Sequence, residues 1–135
     1  MWAARDALIR ANPASKPDSI INLSSIVGSH PVAGALLYAS TNGAIATLTR
    51  GLALELAPRK IWANAIAPGH TRTEGNVAAG TFEGGAGTVL AEKTPLRRLG
   101  RVRDIAPLAV FLASDESAWI TGEAIRAAGG RVVAT

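Results

Sequence analysis

The sequence predicts an α/β domain in which parallel strands alternate with helices. Two short apolar runs, Ser19-Ile20-Ile21-Asn22-Leu23-Ser24-Ser25 and Ile61-Trp62-Ala63-Asn64-Ala65-Ile66-Ala67, have the composition of strands buried on both faces. Between and after them lie segments whose apolar residues recur at three- and four-residue spacings, as helices require. That alternation implies strands joined by right-handed crossovers.

Each element has its own signals. Met1 to about Asn12 reads as a helix, with Trp2, Ala4, Leu8, Ile9 and Ala11 apolar and Asn12-Pro13 ending it. A polar connection, Ala14 to Asp18, leads into the first strand. After a loop with Gly28, Pro31 and Gly34, a helix is expected from about Tyr38 to Ala57. Its apolar stripe is Ile45, Leu48, Leu52 and Leu56, and Pro58 stops it. The second strand ends at Pro68-Gly69. Residues 70 to about 100 read as irregular and glycine-rich, with one short helix near Val89-Lys93. A further helix spans roughly Arg103 to Ser114, with Pro107 in its first turn and Ile105, Leu108, Phe111 and Leu112 facing inward. A last strand around Glu123-Arg126 precedes Gly129-Gly130. The expected sheet has three strands, hence two open edges, and no linker-like segment divides residues 1–135.

Composition narrows the function classes. The 135 residues are 48% hydrophobic and 18% charged, with 14 Gly, and their few aromatic residues point to a core of small side chains. No cysteine is present, which removes disulfides, thiolate nucleophiles and Cys-based metal sites. No apolar run is long enough to span a bilayer, and Met1-Trp2-Ala3-Ala4-Arg5-Asp6 does not read as a signal peptide, so a cytoplasmic location and no membrane partner are expected. The net charge of +4 raises nucleic acid as a partner. The Arg97, Arg98, Arg101 and Arg103 cluster, however, lacks interleaved aromatics to stack bases and reads as a solvated loop or subunit surface, so no nucleic-acid partner is expected. His30 and His70 have no carboxylate companions in sequence and are expected to face solvent or be satisfied in the core; no metal site is expected.

Two hydroxyls are candidates for chemistry. Ser25 sits at the C-terminal end of an expected strand, where ligands gather in open α/β sheets. Tyr38 lies thirteen residues later, before a helix. A phenol and a hydroxyl converging there could bind and protonate a carbonyl oxygen, although paired hydroxyls of this kind are usually structural.

The segments Ile20-Ile21-Asn22-Leu23-Ser24-Ser25-Ile26-Val27-Gly28, Tyr38-Ala39-Ser40-Thr41-Asn42-Gly43-Ala44 and Asn64-Ala65-Ile66-Ala67-Pro68-Gly69-His70-Thr71-Arg72-Thr73 resemble consecutive motifs of the short-chain dehydrogenase/reductase family. So do Thr94-Pro95-Leu96-Arg97-Arg98-Leu99-Gly100, Asp104-Ile105-Ala106, Phe111-Leu112-Ala113-Ser114-Asp115 and Ile120-Thr121-Gly122. The resemblance implies the C-terminal half of a Rossmann-like doubly wound parallel sheet, a single partial domain over residues 1–135. It also implies use of NAD or NADP and a small-molecule carbonyl or alcohol substrate. By the same resemblance Ser25 matches the catalytic serine and Tyr38 the general acid/base. Pro68 and Gly69 turn the chain past the nicotinamide, while Thr71 and Thr73 match positions that hold the cofactor's carboxamide and phosphate side. Ser24 would be structural. The family's main subunit interface implies a homo-oligomer through the Met1-Asn12 and Tyr38-Ala57 helices.

Departures from the pattern matter as much. Asn42 stands where the family has its catalytic Lys, four residues after the Tyr; Asn could still reach a ribose hydroxyl but carries no charge. A cation at ~4 Å stabilises a phenolate by about 4 kcal/mol at an effective dielectric of ~20, so without it Tyr38 is expected to be a poor base at neutral pH. The family's glycine-rich phosphate-binding turn has no counterpart. Gly85-Ala86-Gly87-Thr88-Val89-Leu90 begins like one but ends in Leu, follows no strand, and reads as a flexible loop. Trp62 stands where a basic residue is common and Ala128 where an acidic one often is. The expectation is therefore a fragment of an NAD(P)-dependent oxidoreductase, with cofactor binding and activity absent from the isolated chain. The alternative is a non-catalytic remnant serving as an oligomerisation or binding module.

Overall fold

In a computed structural model, residues 18–132 are described. The helix expected over Met1–Asn12 lies outside them. Strands β1 (Asp18–Leu23), β2 (Ile61–Pro68) and β5 (Ala124–Ala127) form one parallel sheet in the order β1-β2-β5. The three expected strands are thus present, each within a residue or two of its expected bounds. Among the described residues two helices cover the sheet, α1 (Leu36–Leu56) and α4 (Val102–Leu112). Asn22 Nδ2 donates to Thr49 Oγ1 of α1 at 2.9 Å, whereas Ser19 Oγ donates to the Leu112 carbonyl of α4 at 2.7 Å. Residues three apart on a strand point to opposite faces, so α1 and α4 lie on opposite sides of β1.

The central strand explains how the helices dock. From Ala63 to Ala67 every residue of β2 is buried, and three of the five are alanines, which lets helix backbones come close. The stripe expected to bury α1 is displaced accordingly. Its buried face is Ala39, Asn42, Thr49, Ala53 and Leu56, while Leu48 is 37% exposed and Ile45 and Leu52 are half-buried at the helix flank. Small side chains meet the alanine-lined strand, and the bulky ones are held off to one side. Thr49 is satisfied in this position by donating to the Ile45 carbonyl at 2.8 Å. On α4, Leu112 is buried and Ile105, Leu108 and Phe111 are half-buried, as their spacing led one to expect.

The C-terminal strand is stapled to β2 by side chains. Fully buried Asn64 donates from Nδ2 to the Ile120 carbonyl at 2.8 Å and accepts the Glu123 N–H at 3.1 Å. Thr121 Oγ1 accepts the Ala63 N–H at 3.1 Å. These bonds set the register Ala65↔Ala124 to Pro68↔Ala127.

Residues 70 to 100 are more ordered than their composition suggested. Short strands β3 (Thr71–Arg72) and β4 (Gly100–Arg101) pair in parallel, and two helices, α2 (Glu74–Ala78) and α3 (Ala86–Glu92), lie between them. Thr73 caps α2 by accepting the Asn76 N–H at 3.2 Å. Gly85, with φ +84°, opens α3, and buried Gly87 is packed so that a Cβ there would lie 3.2 Å from Phe82. The stretch from Gly85 is therefore the start of a helix and not a flexible loop. Arg72 stacks over the Phe82 ring at 5.5 Å, tying this segment back to β3.

The loop before α4 is held by a two-pronged ion pair. Arg98 donates to the Asp104 carboxylate at 2.6 and 2.9 Å, and Asp104 also accepts the Arg101 N–H at 2.8 Å. Together these hold the Asp104 carboxyl at about 2. Because that value is lowered from the 3.8 of a free Asp, the stabilisation is fully present above pH 4 or so and is lost as pH falls toward 2.

Two outcomes follow. Replacing Leu56, 1% exposed, by Ala should lower the unfolding free energy by about 2–5 kcal/mol in urea titrations, whereas Val110→Ala, at a position 70% exposed on α4, should stay within about 0.5 kcal/mol of the parent. In carboxyl-detected NMR titrations Asp104 should remain ionised down to about pH 2, and Arg98→Gln should return it toward the usual carboxylate range.

Candidate active site

Parallel strands end on the same side of a sheet, and that edge carries the candidate residues. Beyond Leu23 the Ser24 N–H still bonds the Ile66 carbonyl at 2.8 Å, extending the β1–β2 ladder by one residue. The chain then enters a single 3₁₀ turn, Ile26–Gly28, with Ser25 as its N-cap; Ser25 Oγ accepts the Val27 N–H at 3.4 Å. That turn sits directly on α1. A Cβ at Gly28 would come 2.8 Å from the Asn42 carbonyl carbon and the Gly43 nitrogen, and buried Ser24 donates from Oγ to the Asn42 carbonyl at 2.9 Å. Ser24 therefore locks the turn to the helix, in keeping with its expected structural place. Tyr38, in the first turn of the same helix, is 56% exposed.

The second wall comes from the end of β2. Pro68 closes the strand and Gly69 turns it; a Cβ on Gly69 would lie 2.9 Å from Ala128 Cα. Thr71 Oγ1 donates to the Gly69 carbonyl at 3.0 Å, and Asn76 Nδ2 donates to the Thr71 carbonyl at 2.9 Å. Ser25, Tyr38, Pro68, Gly69, Thr71 and Thr73 line one cleft of about 300 Å³. Six of the seven residues singled out from sequence are thus brought together. Ser24 also borders the cleft, and Leu23, Asn76, Val102 and Ile105, which were not anticipated, complete the lining. For Asn76 the signal was readable as a Thr-x-x-Asn helix start; the two α4 residues reach the cleft only through tertiary packing.

Asn42 is the exception. It is 6% exposed, does not line the cleft, and its amide donates to the Tyr38 carbonyl at 2.8 Å, back along its own helix. The amide is thus turned to the backbone of its own helix and not toward the cleft. A buried amide satisfies itself on the nearest carbonyl, where a longer cationic side chain would extend outward. Among the cleft-lining residues Tyr38 is the sole ionisable group. The lining offers hydroxyls, one phenol and apolar surface, suited to holding a small neutral carbonyl or alcohol. His70 lies on the far side of the turn, half-buried, its pKa lowered by burial and by the charge of Arg131.

The cleft can be tested as a seat for a nicotinamide dinucleotide. Its nicotinamide end fits: hydroxyls of Ser25, Tyr38 and Thr73 face one concavity beside the Pro68–Gly69 turn. The pyrophosphate end does not. Among the described residues no strand runs through a three-glycine turn into a helix, and Gly85-Ala86-Gly87 opens the seven-residue α3 from a loop.

Known proteins place this arrangement. A family model described as enoyl-(acyl carrier protein) reductase matches residues 3–131. An uncharacterized oxidoreductase of Methylorubrum extorquens is 45% identical over 112 residues, covering 83% of this chain and 45% of that protein. A gluconate 5-dehydrogenase from Burkholderia cenocepacia, solved in complex with NADP and tartrate, superposes with a TM-score of 0.85 at 32% identity, over 98% of this chain and 49% of that one. A short-chain type dehydrogenase/reductase from Mycobacterium ulcerans gives a TM-score of 0.81 at 35% identity, over 87% and 42%. The chain therefore spans about half the length of the relatives it matches. With a family match along nearly its whole length and a parallel-sheet fold shared with solved members, the chain belongs to the short-chain dehydrogenase/reductase family.

Proposed function

We propose that this chain is the substrate-side half of an NAD(P)-dependent oxidoreductase acting on a small carbonyl or alcohol, and that by itself it is inactive. The observation that carries both parts is the neutral cleft: Ser25 and Tyr38 share it with the Pro68–Thr73 turn, yet it contains no cation. In this reading Ser25 Oγ–H donates to the substrate oxygen and the Tyr38 phenol passes a proton to or from the same atom. Leu23, Val102 and Ile105 supply the apolar part of the cleft wall beside it. Thr71 and Thr73 border the nicotinamide end. A bound dinucleotide would supply or accept the hydride, and the seat for its pyrophosphate and adenosine would have to come from another segment. The Burkholderia neighbour, solved with NADP, supports use of a nicotinamide dinucleotide.

Two arms test the proposal. The isolated chain should give no saturable NADH or NADPH fluorescence signal and no carbonyl reduction, with or without Asn42→Lys; micromolar binding would refute the inactive half. In a chimera carrying the first half of the Methylorubrum relative ahead of this chain, reduction should appear with Asn42→Lys and vanish on adding Tyr38→Phe. Activity surviving Tyr38→Phe would remove the proposed proton-transfer role.

A homo-oligomer through the Met1–Asn12 and Tyr38–Ala57 segments is part of the same proposal, supported by Leu37 and Leu54 of α1, which are 79% and 81% exposed. Sedimentation should show self-association that Leu54→Asp weakens. A parent chain monomeric at every concentration would overturn it.

A further inference from the structure

Among the described residues the three-stranded sheet has two free edges, and they differ in kind. In parallel strands alternate residues turn their N–H and C=O groups to opposite sides. The Ser24 N–H meets the Ile66 carbonyl at 2.8 Å, so Ile20, Asn22 and Ser24 face β2 while Ser19, Ile21 and Leu23 face outward. By the same alternation, the Gly69 N–H bond to the Ala127 carbonyl leaves Ala124 and Arg126 on the outer side of β5. That edge is short and carries an exposed arginine, and shortness and charge keep a strand edge from pairing. The β1 edge has no such protection: Ser19 to Leu23 contains no charge, proline or glycine. Its side chains meet helices on both faces, α1 through Asn22 and α4 through Ser19, as those of an interior strand do. Yet Ile20 and Ile21 are only half-buried and Leu23 is 64% exposed, whereas β2 is buried from Ala63 to Ala67.

We infer that the outer edge of β1 docks a parallel, apolar strand from the half of the relatives' length that this chain does not span. The Burkholderia neighbour superposes on 98% of this chain with only 49% of its own length, so about as much chain again rests against a unit of this shape. The outward backbone groups of Ser19, Ile21 and Leu23, on a strand already flanked by helices on both faces, are a seat for such a segment. An added strand running parallel to β1 ends beside Leu23 and Ser25, both of which line the neutral cleft. The loop leaving it then walls that side of the cleft, at the sheet edge where ligands gather. This docking rests on the reading of the chain as one half of an oxidoreductase, but on none of the chemistry given to Ser25 and Tyr38.

Amide hydrogen exchange tests it, measured by NMR on the isolated chain and on the chimera with the first half of the Methylorubrum relative. In the isolated chain the Ile21 and Leu23 amides should exchange fast, and in the chimera they should slow by about a hundred-fold or more. Ile21→Pro removes an N–H only from the outer side of β1, which an edge strand tolerates. It should therefore match Ile21→Ala in the melting temperature of the isolated chain, yet fall about 5 °C or more below it in the chimera. Ile21 and Leu23 amides that stay fast in the chimera would overturn the docking. So would their protection in the isolated chain, rising with concentration if a second copy takes the edge and constant if the chain covers it by itself. Protection in the chimera without carbonyl reduction by its Asn42→Lys form would uphold the docking and count against the oxidoreductase reading alone.

Discussion

The contact on which the site depends is backbone against backbone, between the turn after β1 and the middle of α1. Gly28 lies so close that a single added methyl would stand 2.8 Å from Asn42 and Gly43, and Gly43 in turn would place a Cβ 3.2 Å from the Gly28 carbonyl. Two glycines meeting this way bring a strand end and a helix closer than side chains allow. The Ser24 hydroxyl bond to the Asn42 carbonyl then fixes the approach. Ser25 belongs to the turn and Tyr38 to the helix, so their sharing one cleft is a consequence of that contact. Any separation of the turn from the helix would part the two hydroxyls.

Charge is distributed unevenly on either side of the β2 exit. The cleft before the Pro68–Gly69 turn holds no ionisable group but the phenol, while the cavity behind it holds His70, Arg98, Arg126 and Asp104. Asn42 accounts for part of the difference. Its short amide, buried under the turn, closes a bond to the carbonyl four residues back and contributes nothing to the field in the cleft. A phenol there can donate a hydrogen bond, and among the described residues no cation lines the cleft beside it.

The sheet owes its compactness to small residues, and its order to buried amides. Alanines on β2 admit both helices at close range, which is why Leu48 and its neighbours on α1 are displaced from the core. Asn64, buried without exposure, ties Ile120 and Glu123 to the central strand and thereby brings Ala127 to Gly129 alongside Gly69. A polar side chain in such a place is tolerated because both ends of its amide are used.

The strands, the long helix and its stop at Pro58 were legible in the sequence because they depend on local signals: β-branched runs, apolar periodicity and proline. So were Ser25, Tyr38 and the Pro68–Thr73 turn, which lie within ordered motifs. Residues 70–100 were not, since their glycines are as compatible with loops as with the helix starts and tight packing that Gly85 and Gly87 serve. Sequence by itself determined that the chain is an α/β unit with two hydroxyls at a strand edge and no Lys at position 42. Tertiary structure decided which face of α1 is buried, where the Asn42 amide points, and that His70, Arg98, Asp104 and Arg126 line a cavity behind the Pro68–Gly69 turn. Those outcomes turn on distances between segments far apart in the chain, which no local pattern encodes.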